Sequence, residues 1–127
     1  MLDQGYPNLE YIVMDGGSTD GSADILRRYD GRLAFWASEK DAGQAAAINK
    51  GFARATGDMM GWLNSDDMLL PGALERIARV FLAEPETHVV CGHRKIVDKS
   101  GALRDSFFCE MPVPFVLSRL CVVPQET

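Results

Sequence analysis

The sequence is short of cysteine, with three residues in 127, and short of positive charge, with 13 Lys and Arg against 18 Asp and Glu. It also lacks any clustered basic stretch, any internal repeat and any low-complexity segment. Each shortage excludes something. A net charge of −5 without a basic patch leaves no footprint for a phosphate backbone, so nucleic acid is not an expected partner. No apolar run approaches the about 20 residues that a membrane-spanning helix needs. The opening "MLDQGYPNLEY" lacks the basic and apolar blocks of a secretory signal, so the chain reads as soluble and intracellular. Cys91, Cys109 and Cys121 are odd in number and lack the close pairs of a zinc site; they read as reduced thiols in structural roles. Neither G-x-G-x-x-G nor a Walker-type glycine-lysine step is found, which demotes a dinucleotide oxidoreductase and a P-loop nucleotidase. His88 and His93 have no partner at metal-ligand or triad spacing and read as structural.

What is there is an apolar content of 46%, ample for one packed domain of this length and short for two. "LEYIVMD", residues 9–15, is β-branched and aromatic and runs into the turn-rich "GGSTDGS". Ser22 can cap a helix that carries Ile25, Leu26 and Tyr29 on one face. "LAFWAS", residues 33–38, reads as a second strand. "GQAAAINKGFARATG" reads as a helix stopped at Gly57, and "MMGWLN", residues 59–64, as a third strand. Pro71 opens a helix through Leu74, Ile77, Ala78, Phe81 and Leu82, and "HVVCG" follows as a fourth strand. Trp36 and Trp62 lie inside these strands, where core packing is the default. The order βαβαβαβ implies a mainly parallel sheet with flanking helices. From residue 94 the rhythm changes, and Asp98, Ser100 and Gly101 turn a hairpin.

In a parallel sheet the strands point their carboxyl ends at one rim, where ligands bind. Asp15 follows the first strand, Glu39 and Asp41 the second, and Asp66 with Asp67 the third, so three acidic clusters are expected on one edge. Clustered carboxylates repel unless a cation sits among them, and Mg²⁺ or Mn²⁺ is held by one or two carboxylates plus phosphate oxygens. Asp66 and Asp67 would anchor it, or one would hold the metal and the other a ribose hydroxyl. The plainer alternative is that Ser65, Asp66 and Asp67 only cap a loop before the next helix. "DGGSTDGS" carries the same pair of readings, since its glycines allow close backbone approach to a ligand and are also ordinary turn material.

"YPNLEYIVMDGGSTDGS" followed by "SEKDAGQAAAINKGFARATGDMMGWLNSDDMLLPGAL" resembles the family 2 glycosyltransferases, over about residues 3–95. The resemblance implies a GT-A fold and transfer of a sugar, with inversion, from a nucleotide-diphosphate donor to an acceptor hydroxyl on a saccharide or lipid-linked acceptor. By position it assigns Asp15, Gly17, Ser18 and Asp20 to the base-binding loop, Glu39, Asp41 and Gly43 to the segment closing on the nucleotide, and Asn49 to the helix behind it. Asp66 and Asp67 fall on the metal and ribose motif. The family often has a second aspartate in the first loop, where this chain has Gly16.

The resemblance also implies that a first strand precedes residue 1 and that the catalytic base lies beyond residue 127. Residues 1–93 are then the nucleotide-sugar-binding part of one partial domain, and 94–127 the start of its acceptor side. Three further expectations follow: a homodimer through exposed strand edges, a cytoplasmic location, peripheral at the inner membrane face, and a role in polysaccharide biosynthesis. A non-catalytic α/β scaffold or degenerate transferase module is the alternative. A nucleotidyltransferase ranks lower, because its glycine-rich basic loop is not visible.

Overall fold

The computed structural model describes residues 1–107. The chain divides into two compact units, Met1–Arg79 and Val80–Thr127.

The first unit is built on two short parallel strands, β1 (Ile12–Asp15) and β2 (Phe35–Ser38), in the register Ile12 opposite Phe35 through Asp15 opposite Ser38. Parallel strands need a crossover, and α1 (Ser22–Arg28) with the 3₁₀ turn Asp30–Arg32 supplies it. Side chains alternate across a strand, so Met14, Phe35 and Ala37 share one face and Val13 the other. The first face looks onto α2 (Gln44–Phe52), where Gly51 comes so close that a Cβ would lie 3.6 Å from Met14 Cγ. Arg54, just past α2, lays its guanidinium 3.9 Å from the Phe35 ring centre. The Glu10 carboxylate then ties the end of this turn down by accepting from Thr56 N–H at 2.7 Å and Thr56 Oγ1 at 3.1 Å. The second face opens on Leu26, Tyr29 and Leu33.

Helix α3 (Ala73–Ala83) begins two residues after Pro71, because Gly72 sits at φ +74° and interrupts the helical backbone before it. Its first N–H, on Ala73, donates to Gln4 Oε1 at 3.1 Å, and Gln4 Nε2 donates to Leu69 O at 3.2 Å. One glutamine thus satisfies a helix end and the loop before it. Helix α1 is capped differently from the expectation: Ser22 is its first residue, and Asp20 accepts from the Ser22 N–H at 3.0 Å and hydroxyl at 2.6 Å.

The second unit contains the expected hairpin, β3 (Arg94–Val97) antiparallel to β4 (Leu103–Phe107), with an irregularity between Ile96 and Val97. Asp98 organises its turn by accepting from Ser100 N–H, Ser100 Oγ and Ala102 N–H.

Two strands read from the sequence are not formed. Residues 59–64 and 88–92 are irregular, although their composition suits a sheet. A strand exists only where a neighbour completes its ladder, and neither segment finds one among the described residues. Trp62 is consequently 44% exposed, meeting Phe52 edge-on at 6.4 Å, and is not the core residue that its position suggested. Trp36 is half-buried and donates from Nε1 to Asp30 Oδ1 at 2.7 Å. Helix α2 stops at Phe52, five residues before Gly57. Among the described residues Ala78 alone is buried, at 6% exposure. Cys91 is disulfide-bonded, which corrects its reading as a reduced thiol. It lies half-buried on an irregular segment. Cys109 and Cys121 fall outside the described residues.

Candidate functional site

Asp15 is the last residue of β1 and stands opposite Ser38, the last of β2. Its carboxylate collects four donors: Ser18 Oγ at 2.5 Å on Oδ1, and Ser38 Oγ at 2.6 Å, Ser18 N–H at 3.0 Å and Gly17 N–H at 3.2 Å on Oδ2. The Ser18 hydroxyl above all, then that of Ser38, holds the Asp15 carboxyl below the usual aspartate range. The charge therefore shapes the loop: it folds the turn 15–18 back on itself and pins the turn to the neighbouring strand.

The two loops then come into contact through glycines. Gly17, at φ +84°, passes so close to the next loop that a Cβ would lie 3.2 Å from Lys40 N. A Cβ on Gly16 would lie 3.3 Å from Asp41 Oδ2. The missing side chain at 16 is thus the space beside the Asp41 carboxylate. Asp41 also accepts from Gly43 N–H at 2.7 Å, setting the turn before α2, and Gly43 itself is the helix N-cap at φ +107°.

From the start of α2 a side-chain line leads to the third cluster. Gln44 Nε2 donates to Asn64 Oδ1 at 2.6 Å, and Asn64 Nδ2 donates to Asp67 Oδ2 at 2.9 Å. Asp67 is half-buried and Asp66 exposed at the turn. The three loops are therefore linked in sequence, Asp15 to Asp41 across Gly16 and Asp41 to Asp67 through Gly43, Gln44 and Asn64.

Not every candidate joins them. Asp20 serves the start of α1, and the Ser22 hydroxyl holds its carboxyl below the usual range. Glu39 is paired with Lys50 Nζ at 2.7 Å, which lowers its carboxyl as well. Asn49 is exposed on α2. Ser38, Gln44, Lys50 and Asn64 were missed. Their signal was present, since Ser38 ends the second strand beside Glu39 and Asn64 stands three residues before Asp67, the spacing of the two ends of a β-turn.

Among the described residues no group of three His, Cys, Asp or Glu is gathered so as to hold a metal ion. The donors present are hard carboxylate oxygens, with Asp67 engaged by Asn64 on one oxygen only. That set does not make a closed all-protein cage. It does fit a Mg²⁺-type ion that takes its remaining ligands from phosphate and water.

The family model for glycosyl transferase family 2 matches residues 1–116. The chain is 34% identical, over 88% of its length, to an uncharacterized glycosyltransferase of Nostoc sp.. It is 40% identical, over 60% of its length, to the putative teichuronic acid biosynthesis glycosyltransferase TuaG of Bacillus subtilis. It is 33% identical, over 83% of its length, to the O-antigen biosynthesis protein RfbC of Myxococcus xanthus. The matched regions are 35%, 31% and 8% of those relatives, so the chain spans about a third of the first two. No solved structure matches it.

Proposed function

The chain belongs to glycosyl transferase family 2, and from that premise we propose that it binds a nucleotide-diphosphate sugar and presents it for transfer to an acceptor hydroxyl with inversion. One observation supports the reading: the loop after β1, which Asp15 folds, passes close to the loop after β2, which carries Asp41, and hydrogen bonds through Gly43, Gln44 and Asn64 lead from Asp41 to Asp67. In this reading the Asp15 turn and Gly17 offer backbone to the base and ribose. The segment from Glu39 to Gly43 closes over the nucleotide, and Asp66 and Asp67 hold Mg²⁺ or Mn²⁺ against the diphosphate. When bound, the metal supplies charge neutralisation for the departing diphosphate. Asp67 contributes an oriented carboxylate, and the glycines let the chain approach a bulky anion without a side chain intervening.

Relatives named for teichuronic acid and O-antigen biosynthesis support polysaccharide biosynthesis as the setting, with a saccharide or lipid-linked acceptor. No helix among the described residues is long and apolar enough to cross a membrane. The proposed location is cytoplasmic, peripheral at the inner membrane face, and recovery in the integral-membrane fraction would count against it. The edges of β1 and β2 that have no strand partner among the described residues support a homodimer through strand pairing.

The test is calorimetric titration with uridine, guanosine and thymidine diphosphates, with and without Mn²⁺. Partners of a metal ligand typically contribute 10- to 100-fold in affinity, so Asp67→Ala, which removes the ligand itself, should weaken Mn²⁺-dependent binding by ~100-fold or more. Equal binding without metal would remove the metal role. If none of the three binds and neutralising the acidic residues stabilises the fold, the chain is a scaffold.

A further inference from the structure

A side-chain amide has two ends of nearly equal shape and opposite character: its NH₂ donates and its carbonyl accepts. A carboxylate beside it tolerates only the first. Asn64 meets Asp67 with the donating end, Nδ2 to Oδ2 at 2.9 Å, and its other end accepts from Gln44 Nε2 at 2.6 Å. The Asp67 N–H also donates to Asn64 O at 3.2 Å, so backbone and side chain of Asn64 hold the same residue. Gln44 is the first residue of α2, next to Gly43, whose N–H is fixed by Asp41. The line runs with one polarity from the start of the helix to the acidic turn.

We infer that Gln44 and Asn64 are positioning residues for Asp67, Gln44 acting by fixing which end of the Asn64 amide faces the carboxylate. The inference rests on the donor-binding reading above. Without Gln44 the Asn64 carbonyl loses the donor that it accepts from, and the hold of the amide on the Asp67 carboxylate loosens. With Gln44 in place one Asp67 oxygen is engaged, and the other has no protein donor among the described residues. Gln44 also makes the arrangement sensitive to the segment Glu39–Gly43, because any shift of that segment at the start of α2 carries Nε2 with it. Neither hydrogen bond is deeply buried, so their contribution to fold stability is small and their effect falls on the site.

The experiment measures Mn²⁺-dependent binding of the three nucleoside diphosphates, with bound Mn²⁺ followed separately by loss of its electron paramagnetic resonance signal. Asn64→Ala should weaken binding ~10- to 100-fold, the range for partners of a metal ligand. Gln44→Ala should weaken it in the same direction, and the double variant should bind no more weakly than Asn64→Ala alone, since one residue works through the other. Gln44→Glu keeps the size of the side chain but cannot donate when ionised, and it should lose as much as Gln44→Ala. Additive losses in the double variant, or wild-type binding by Gln44→Glu, overturn the inference. Should Asn64→Ala fail to fold, the exposed Gln44 variants decide it. Binding abolished in Asp67→Ala yet unchanged in the Gln44 and Asn64 variants defeats the positioning role alone. If the unmodified chain binds none of the diphosphates, the donor-binding reading falls and the inference falls with it.

Discussion

Asp15 shows how a single carboxylate can define a loop. Two hydroxyls and two amides converge on it, led by Ser18, and together they depress its carboxyl. A depressed carboxyl contributes stability that is fully present above its unfolded value, about 3.9, and is lost as pH falls through the lower folded value. The first loop should therefore hold its form at neutral pH and loosen only below the ordinary aspartate range. Ser18→Ala should move the Asp15 carboxyl back toward that range and narrow the acid window. A carbon-13 titration of the side-chain carboxyl reads both effects, and an Asp15 that titrates normally in the unmodified chain would contradict this account. The Glu39–Lys50 pair is a contrast, because both side chains are well exposed and such a pair adds little to stability.

At the scale of elements, the site depends on how closely the loop after β1 passes the loop after β2. Gly17 and Gly16 both lie at that crossing but for different reasons. At Gly17 a methyl group would meet backbone, at 3.2 Å from Lys40 N, with φ in the left-handed region; at Gly16 it would meet only the end of the Asp41 side chain. Gly17→Ala should thus destabilise by about 1 kcal/mol or more, and Gly16→Ala by less, as read from urea midpoints. Equal midpoints would mean that the crossing is not tight. Much of this was legible in sequence: the β-branched run before Asp15, the glycines after it, the amphipathic α3 and the Asp98 hairpin were all visible as local patterns. Residues 59–64 and 88–92 were not, because strand composition says nothing about whether a ladder partner is at hand. The carboxylates were singled out as candidates because charge stands out in a sequence. Ser38, Gln44 and Asn64 were missed because uncharged polar residues acquire meaning only from what they face.

For the whole molecule, the described residues form two small sheets of two strands each and bury one residue, which leaves large side chains such as Met60, Met68 and Leu70 at 60%, 80% and 62% exposure. Small two-stranded sheets are marginal in water, and unpaired edges invite added strands. The chain should therefore self-associate with rising concentration, which sedimentation velocity would register, and a lysine placed on the outer edge of β1 should weaken the association. A sharp monomer at every concentration would refute it. The parallel pairing of β1 with β2 has one further result. In a ladder with a single neighbour, alternate amides turn away from it, so deuterium uptake along β1 should read as a stripe, slow and fast by turns. A second chain settling on that edge would erase the stripe, and the pattern itself would then report where the newcomer lies.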